Sequence, residues 1–134
     1  VGVVVAGFAH GAAAEPARVD WARGLVIAEG LGVADRQAPS PAVALGTSKR
    51  GGAARARAAL EAAVEALPMA SGATVGDRMK DAAVAARVGR AVEHAVELAA
   101  DPETDGSWHV TLAVPVESVR HAVAGVRVLS SDGG

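Results

Sequence analysis

Residues 41–67, PAVALGTSKRGGAARARAALEAAVEAL, entered through Ser40 and left at Pro68, decide the fold. Serine followed by proline starts a helix well, because the serine oxygen accepts an otherwise orphaned N–H and proline at the first helical position needs no donor. From Ala53 onward the apolar set Ala53, Ala56, Leu60, Ala63, Val64 and Leu67 recurs at spacings of three and four. That spacing predicts one narrow inward stripe, with Arg55, Arg57, Glu61 and Glu65 left in solvent and Pro68 as the stop. Gly46, Gly51 and Gly52 each cost up to about 1 kcal/mol relative to alanine in a helix interior. The helix is therefore expected to be firm from Ala53 to Leu67 and weak or open from Pro41 to Gly52. A single narrow stripe needs a sheet to lie on.

The clearest strand is Ser107 to Val114, where Trp108, Val110, Leu112 and Val114 alternate with Ser107, His109, Thr111 and Ala113. Upstream, Val92, His94, Val96 and Leu98 alternate with Glu93, Ala95, Glu97 and Ala99, which favours a second strand; the alternative is a helix carried on to Leu98. The segment between them, Asp101 to Gly106, is turn chemistry, so the pair is expected to form an antiparallel hairpin. Matching apolar faces places Leu98 near Trp108, Val96 near Val110 and Glu97 near His109. Toward the N-terminus, Val19, Trp21, Leu25 and Ile27 share a parity within Val19 to Gly32, with Arg23-Gly24 as a turn. Thr74-Val75-Gly76-Asp77 has the spacing of a capping box with Asp in place of Glu. It predicts a helix from about Val75 to Val88, with Val75, Met79, Ala82, Ala83 and Ala86 inward and Gly89 at its end. A short helix over Val116 to Val123, a last strand over Val126 to Leu129 and a frayed tail from Ser130 to Gly134 complete the expected order. The fold class is thus α+β: an antiparallel sheet with two helices packed on one face.

Composition narrows the function classes. A chain of 134 residues is one domain, and with only Phe8, Trp21 and Trp108 as aromatics its core must be built from Ala, Val and Leu. Thirteen basic and fifteen acidic residues leave a formal charge of −2, which offers no electrostatic footprint for nucleic acid or an anionic membrane. Cysteine is absent, so disulfides, thiolate nucleophiles and zinc ribbons are excluded together. Residues 1–14, VGVVVAGFAHGAAA, form an apolar run ending in small residues, with Ala12-x-Ala14 before Glu15-Pro16. This reads as the remnant of a secretory signal, a buried N-terminal strand being the alternative. Residues 15–134 are the single domain.

Taken in order, these segments resemble the lipoprotein-twenty-like family of bacterial envelope proteins and, more distantly, the N-terminal module of the flagellar assembly protein FlgT. The matching residues are Val19-Asp20-Trp21 with Val26 to Gly32, which is similar to the family's entry strand and Gly-x-Gly ending. They continue in the alanine-rich helix Ala53 to Leu67, in Thr74 to Met79, and in Asp105 to Pro115, where the family has an acidic-Gly turn, an aromatic and an alternating strand closed by proline. The match spans most of Val19 to Val116. The family's namesakes carry a lipid on an N-terminal cysteine, which this chain lacks, and its helix is not usually interrupted by glycines. The resemblance implies an exported module, periplasmic or otherwise extracytoplasmic, with outer-membrane association among the places it suggests, and a structural or interaction role. It supplies no catalytic residues.

Few residues suggest chemistry. His94, His109 and His121 with Glu93 and Glu97 are the right types for a metal or acid–base cluster, but no HxH or HExxH spacing supports one. Gly46 to Gly52 has the glycines and lysine of a phosphate loop without its order, and Gly30-Leu31-Gly32 lacks the third glycine of a dinucleotide fingerprint. Ser48, Ser71 and Ser118 sit in no nucleophile elbow. No catalytic, cofactor-binding or metal residues are assigned and no cofactor is expected. The expected interaction surface is Arg50, Arg55 and Arg57 on the first helix, facing envelope proteins or a second copy, with no nucleic acid and no stable membrane span. The leading expectation is a non-enzymatic envelope interaction module. The alternative is a small-molecule carrier with a cavity between helices and sheet beside Trp21 or Trp108.

Overall fold

A hairpin opens the part of the chain that the computed structural model describes, residues 16–125. Strand β1 (Ala17–Asp20) pairs antiparallel with β2 (Leu25–Gly32) across the turn Trp21 to Gly24, whose glycine adopts φ 69°. Glycine reaches that left-handed conformation without a Cβ penalty. The expected signal remnant before Pro16 and the expected last strand and tail after Gly125 lie outside the described residues.

Helix α1 (Pro41–Glu65) follows, with Ser40 as N-cap accepting from the Val43 N–H at 3.2 Å and Pro41 in the first turn. The expected weakness over Pro41 to Gly52 does not materialise: the helix is continuous for 25 residues. Its buried row is Ser48, Gly52, Ala56, Leu60 and Val64, one residue per turn at spacings of four. Gly52 belongs to that row because a Cβ there would lie 3.0 Å from Val110 Cγ2 and 3.1 Å from the Gly32 nitrogen and the Trp108 oxygen. Gly30 and Gly32 supply the matching small residues on β2, where an added Cβ would overlap the Gly52 and Ser48 carbonyl oxygens. Close seating on the sheet offsets what glycine costs in helix propensity.

The capping box forms as expected, with Asp77 N–H donating to Thr74 Oγ1 at 3.1 Å and Thr74 N–H to Asp77 Oδ2 at 2.9 Å. It starts only the short helix α2 (Val75–Arg78). The chain then breaks and restarts at Asp81, whose carboxylate accepts from the Ala83 N–H and caps α3 (Ala82–Glu93). The inward residues of α3 are Val84, Val88 and Val92, while Ala82, Ala83 and Ala86 are exposed. Burying three valines outweighs burying alanines, and Gly89 stays inside the helix on its exposed side.

The α3 helix also claims Val92 and Glu93, with His94 as C-cap, so the expected strand begins later, as β3 (Val96–Pro102). It pairs antiparallel with β4 (Trp108–Pro115) in the register Val96 opposite Ala113, Ala100 opposite Val110 and Asp101 opposite His109. The expected pairs of Leu98 with Trp108, Val96 with Val110 and Glu97 with His109 are not formed. The cause is the turn, which tightens to Glu103 through Ser107, with Glu103 N–H donating to the Ser107 carbonyl at 2.7 Å, so that Ala100 stands opposite Val110; a bulge at Leu98 then shifts the register part of the way back.

The four strands form one antiparallel sheet in the order β1-β2-β4-β3, which gives the predicted α+β class. Helix α4 (Val116–Ala124) leaves β4 at Pro115 and ends at Gly125, close to the short helix expected there. One core joins Val26, Ala28, Val110, Leu112 and Val114 of the sheet to α1, to Val84, Val88 and Val92 of α3, and to Val119 and Val123 of α4. All the core-forming helices therefore lie on one side. The turn at Trp21 to Gly24 exchanges the strand parities, so Val19 faces the helices together with Val26 while Leu25 and Ile27 point the other way. No described helix is long and apolar enough to cross a membrane.

Candidate functional site

An apolar groove of about 440 Å³ lies at one end of the domain. Its base is made by Leu67, Val75, Val119 and Val123, all buried and contributed by the segment after α1, by α2 and by α4. The segment after α1 is shaped by a bridge between Pro68 and Thr74, with Met69 N–H donating to the Ala73 carbonyl at 2.8 Å. This brings Pro68, Met69 and Ala70 to the groove wall. Trp21 closes the opposite side from the β1–β2 turn and is 61% exposed. Sequence parity placed Trp21 in the sheet core; the turn that begins at Trp21 lifts it out. The turn is pinned by Arg23, whose N–H donates to Asp20 Oδ1 at 3.1 Å.

Two charged residues line the groove, Arg78 of α2 and Arg120 of α4, and no carboxylate does. Arg120 Nη1 lies 2.9 Å from Glu117 Oε1 along its own helix. Arg78 has no ion pair or side-chain hydrogen bond among the described residues. Neighbouring Asp77 does not neutralise it at the groove, because its carboxylate is turned to the Thr74 backbone N–H, and this hydrogen bond holds its pKa below the ordinary carboxylate value. Among the groove residues, Val75 and Arg78 belong to the capped Thr74 to Met79 segment. The signals that could have found it were the aromatic two residues before the Arg23-Gly24 turn and an arginine inside the capped Thr74 to Met79 segment.

The other candidates disperse. His94 Nδ1 lies 2.8 Å from the Arg90 carbonyl, His109 Nε2 lies 2.9 Å from Glu29 Oε1, and His121 Nε2 lies 3.0 Å from Glu117 Oε2. Among the described residues no group of three His, Asp or Glu is placed to hold a metal. Ser48 is buried and its hydroxyl reaches the carbonyls of Leu45 at 2.9 Å and Gly106 at 3.1 Å. Ser71 accepts from the Ala73 N–H, and Ser118 is exposed on α4. The Gly46 to Gly52 segment is helix, so its N–H groups are not turned outward as a phosphate cradle.

No protein-family model, curated protein or solved structure matches the chain.

The three arginines expected to form an interaction surface have different roles. Arg50 is exposed, whereas Arg55 donates to the Leu31 carbonyl at 2.6 Å and Arg57 to the Val92 carbonyl at 2.9 Å. Arg87, on α3, repeats the device with the Ala122 carbonyl at 2.7 Å. Val92 and Ala122 lie in the last turns of α3 and α4, at the negative end of each helix dipole, and the Val92 carbonyl also accepts from the Ala95 N–H at 3.0 Å. Arg57 and Arg87 therefore finish neighbouring helices. Trp108, the second tryptophan, is half-buried at the start of β4 with Lys49 Nζ 5.3 Å above its ring, and its indole Nε1 is buried without a hydrogen-bond partner among the described residues.

Proposed function

We propose that the chain is a non-enzymatic binding domain whose ligand is small and largely apolar, received in the groove beside Trp21. The observation that carries this is the groove itself: 440 Å³ falls within the roughly 300–1,000 Å³ of small-molecule sites, and the lining is apolar apart from two arginines. An exported location belongs to the same reading, supported by the apolar run of residues 1–14 and by the resemblance to the lipoprotein-twenty-like envelope proteins. An envelope protein-interaction role is the second reading. It is supported by β3, an edge strand on which Val96 and Leu98 are exposed, since such an edge can pair with another strand.

Native mass spectrometry of the protein purified without detergent tests the first reading against the second. A bound small molecule that disappears in Ala124→Trp, which fills the groove from an exposed rim position, supports the carrier reading. Ligand-free protein that instead crosslinks in intact cells to envelope components through β3 would replace it with the second.

A further inference from the structure

Resting on the groove as the binding site, we infer that its ligand is a single-chain amphipathic carboxylate, held by its tail against Trp21 and the α4 valines and by its head group at Arg78. The charge pattern leads to this choice. An apolar cleft for a neutral ligand needs no ionised group at its mouth, and one for a cation would carry acid; this lining has two guanidinium groups and no carboxylate. Arg120 is engaged by Glu117 at 2.9 Å, which leaves Arg78 as the cation open to a ligand among the described residues. A planar guanidinium meets a carboxylate with two parallel hydrogen bonds, a geometry that lysine cannot offer.

Size agrees with the assignment. At roughly 30 Å³ per water-sized group, the 440 Å³ groove takes on the order of 15 non-hydrogen atoms, the scale of a medium-length single chain. Trp21 provides a broad apolar wall for such a chain, and Val119 and Val123, one helical turn apart on α4, provide a strip along which methylenes can lie.

The experiment is a titration of the isotope-labelled full chain by NMR with decanoate, decanol and decyltrimethylammonium, each below its micelle concentration. The expected result is that decanoate shifts the amides around Trp21, Arg78 and Val119 to Val123 and binds most tightly. Arg78→Gln should weaken decanoate by about two- to fivefold while leaving decanol unchanged, and Ala124→Trp should remove all binding. Equal affinity for the three probes, all lost in Ala124→Trp, would overturn the anionic ligand and leave the groove as an apolar site. Failure of every probe, or groove shifts that instead follow protein concentration and mark a second copy, would overturn both.

Discussion

Gly32 sets how closely β2 and α1 approach, and replacing it with alanine tests the seating of the whole helix. An ideal Cβ at Gly32 would overlap the Ser48 carbonyl oxygen and stand 2.5 Å from the Gly52 nitrogen, a gap that must open to about 3.4 Å for ordinary contact. Both obstacles are backbone atoms, so no rotamer change relieves them. Overpacking a filled core costs about 1–3 kcal/mol and occasionally more. Here the separation would spread along the row Ser48, Gly52 and Ala56 to the sheet residues beneath, so a loss of about 3 kcal/mol or more is expected. In a domain of this size that lowers the Tm by on the order of 10–20 °C. Urea and thermal unfolding followed by far-UV circular dichroism measure it. Gly89→Ala is the control: this helical glycine is exposed, nothing lies within 4 Å of its added Cβ, and alanine should stabilise α3 by up to about 1 kcal/mol. A Gly32→Ala protein within about 0.5 kcal/mol of the parent would refute the close seating of α1 on β2.

Arg57→Met and Arg87→Met should each destabilise by about 1.5–3 kcal/mol, because each removes a charged donor from the end of a neighbouring helix. Exposed Arg50→Ala should change stability by less than about 0.5 kcal/mol; equal losses for all three in chemical denaturation would contradict the distinction. The carboxyls of Asp77 and Asp105 are held below their ordinary value by hydrogen bonds from Thr74 and from Ser107, respectively. Their contribution is therefore fully present above the unfolded carboxylate pKa of about 4 and is lost as pH falls through the lower folded values. An Asp77→Asn/Asp105→Asn protein should accordingly show a smaller drop in unfolding free energy between pH 6 and pH 2, and an unchanged acid slope would speak against both hydrogen bonds. Ser40→Ala removes the cap of α1 and should cost about 0.5–2 kcal/mol in the same unfolding measurement.

The amino-acid sequence determined what depends on neighbours a few residues apart. The Ser40-Pro41 entry and the Thr74–Asp77 box read correctly because their partners lie within one turn. The stripe from Ala56 to Leu67 and the alternation in β4 read correctly because side-chain period follows backbone geometry. The α+β class follows from those elements. Tertiary structure decided what local rules leave degenerate. Val92 and His94 fit a strand as well as a helix by alternation, and burial of Val92 beside Val84 and Val88 settles the choice. The β3–β4 register turned on where the hairpin tightened within a stretch that is turn chemistry from Asp101 to Gly106, and on a bulge at Leu98 that no distinctive residue type marks. Gly52 resembled a helix breaker until Gly30 and Gly32 were opposite it. The groove is the extreme case, since Trp21, Val75, Arg78, Arg120 and Val123 come from segments far apart in the chain. Only packing α4 beside α2 and the first hairpin brings them to one place, because a sequence period records the face a residue takes within its own element and carries nothing about which elements meet.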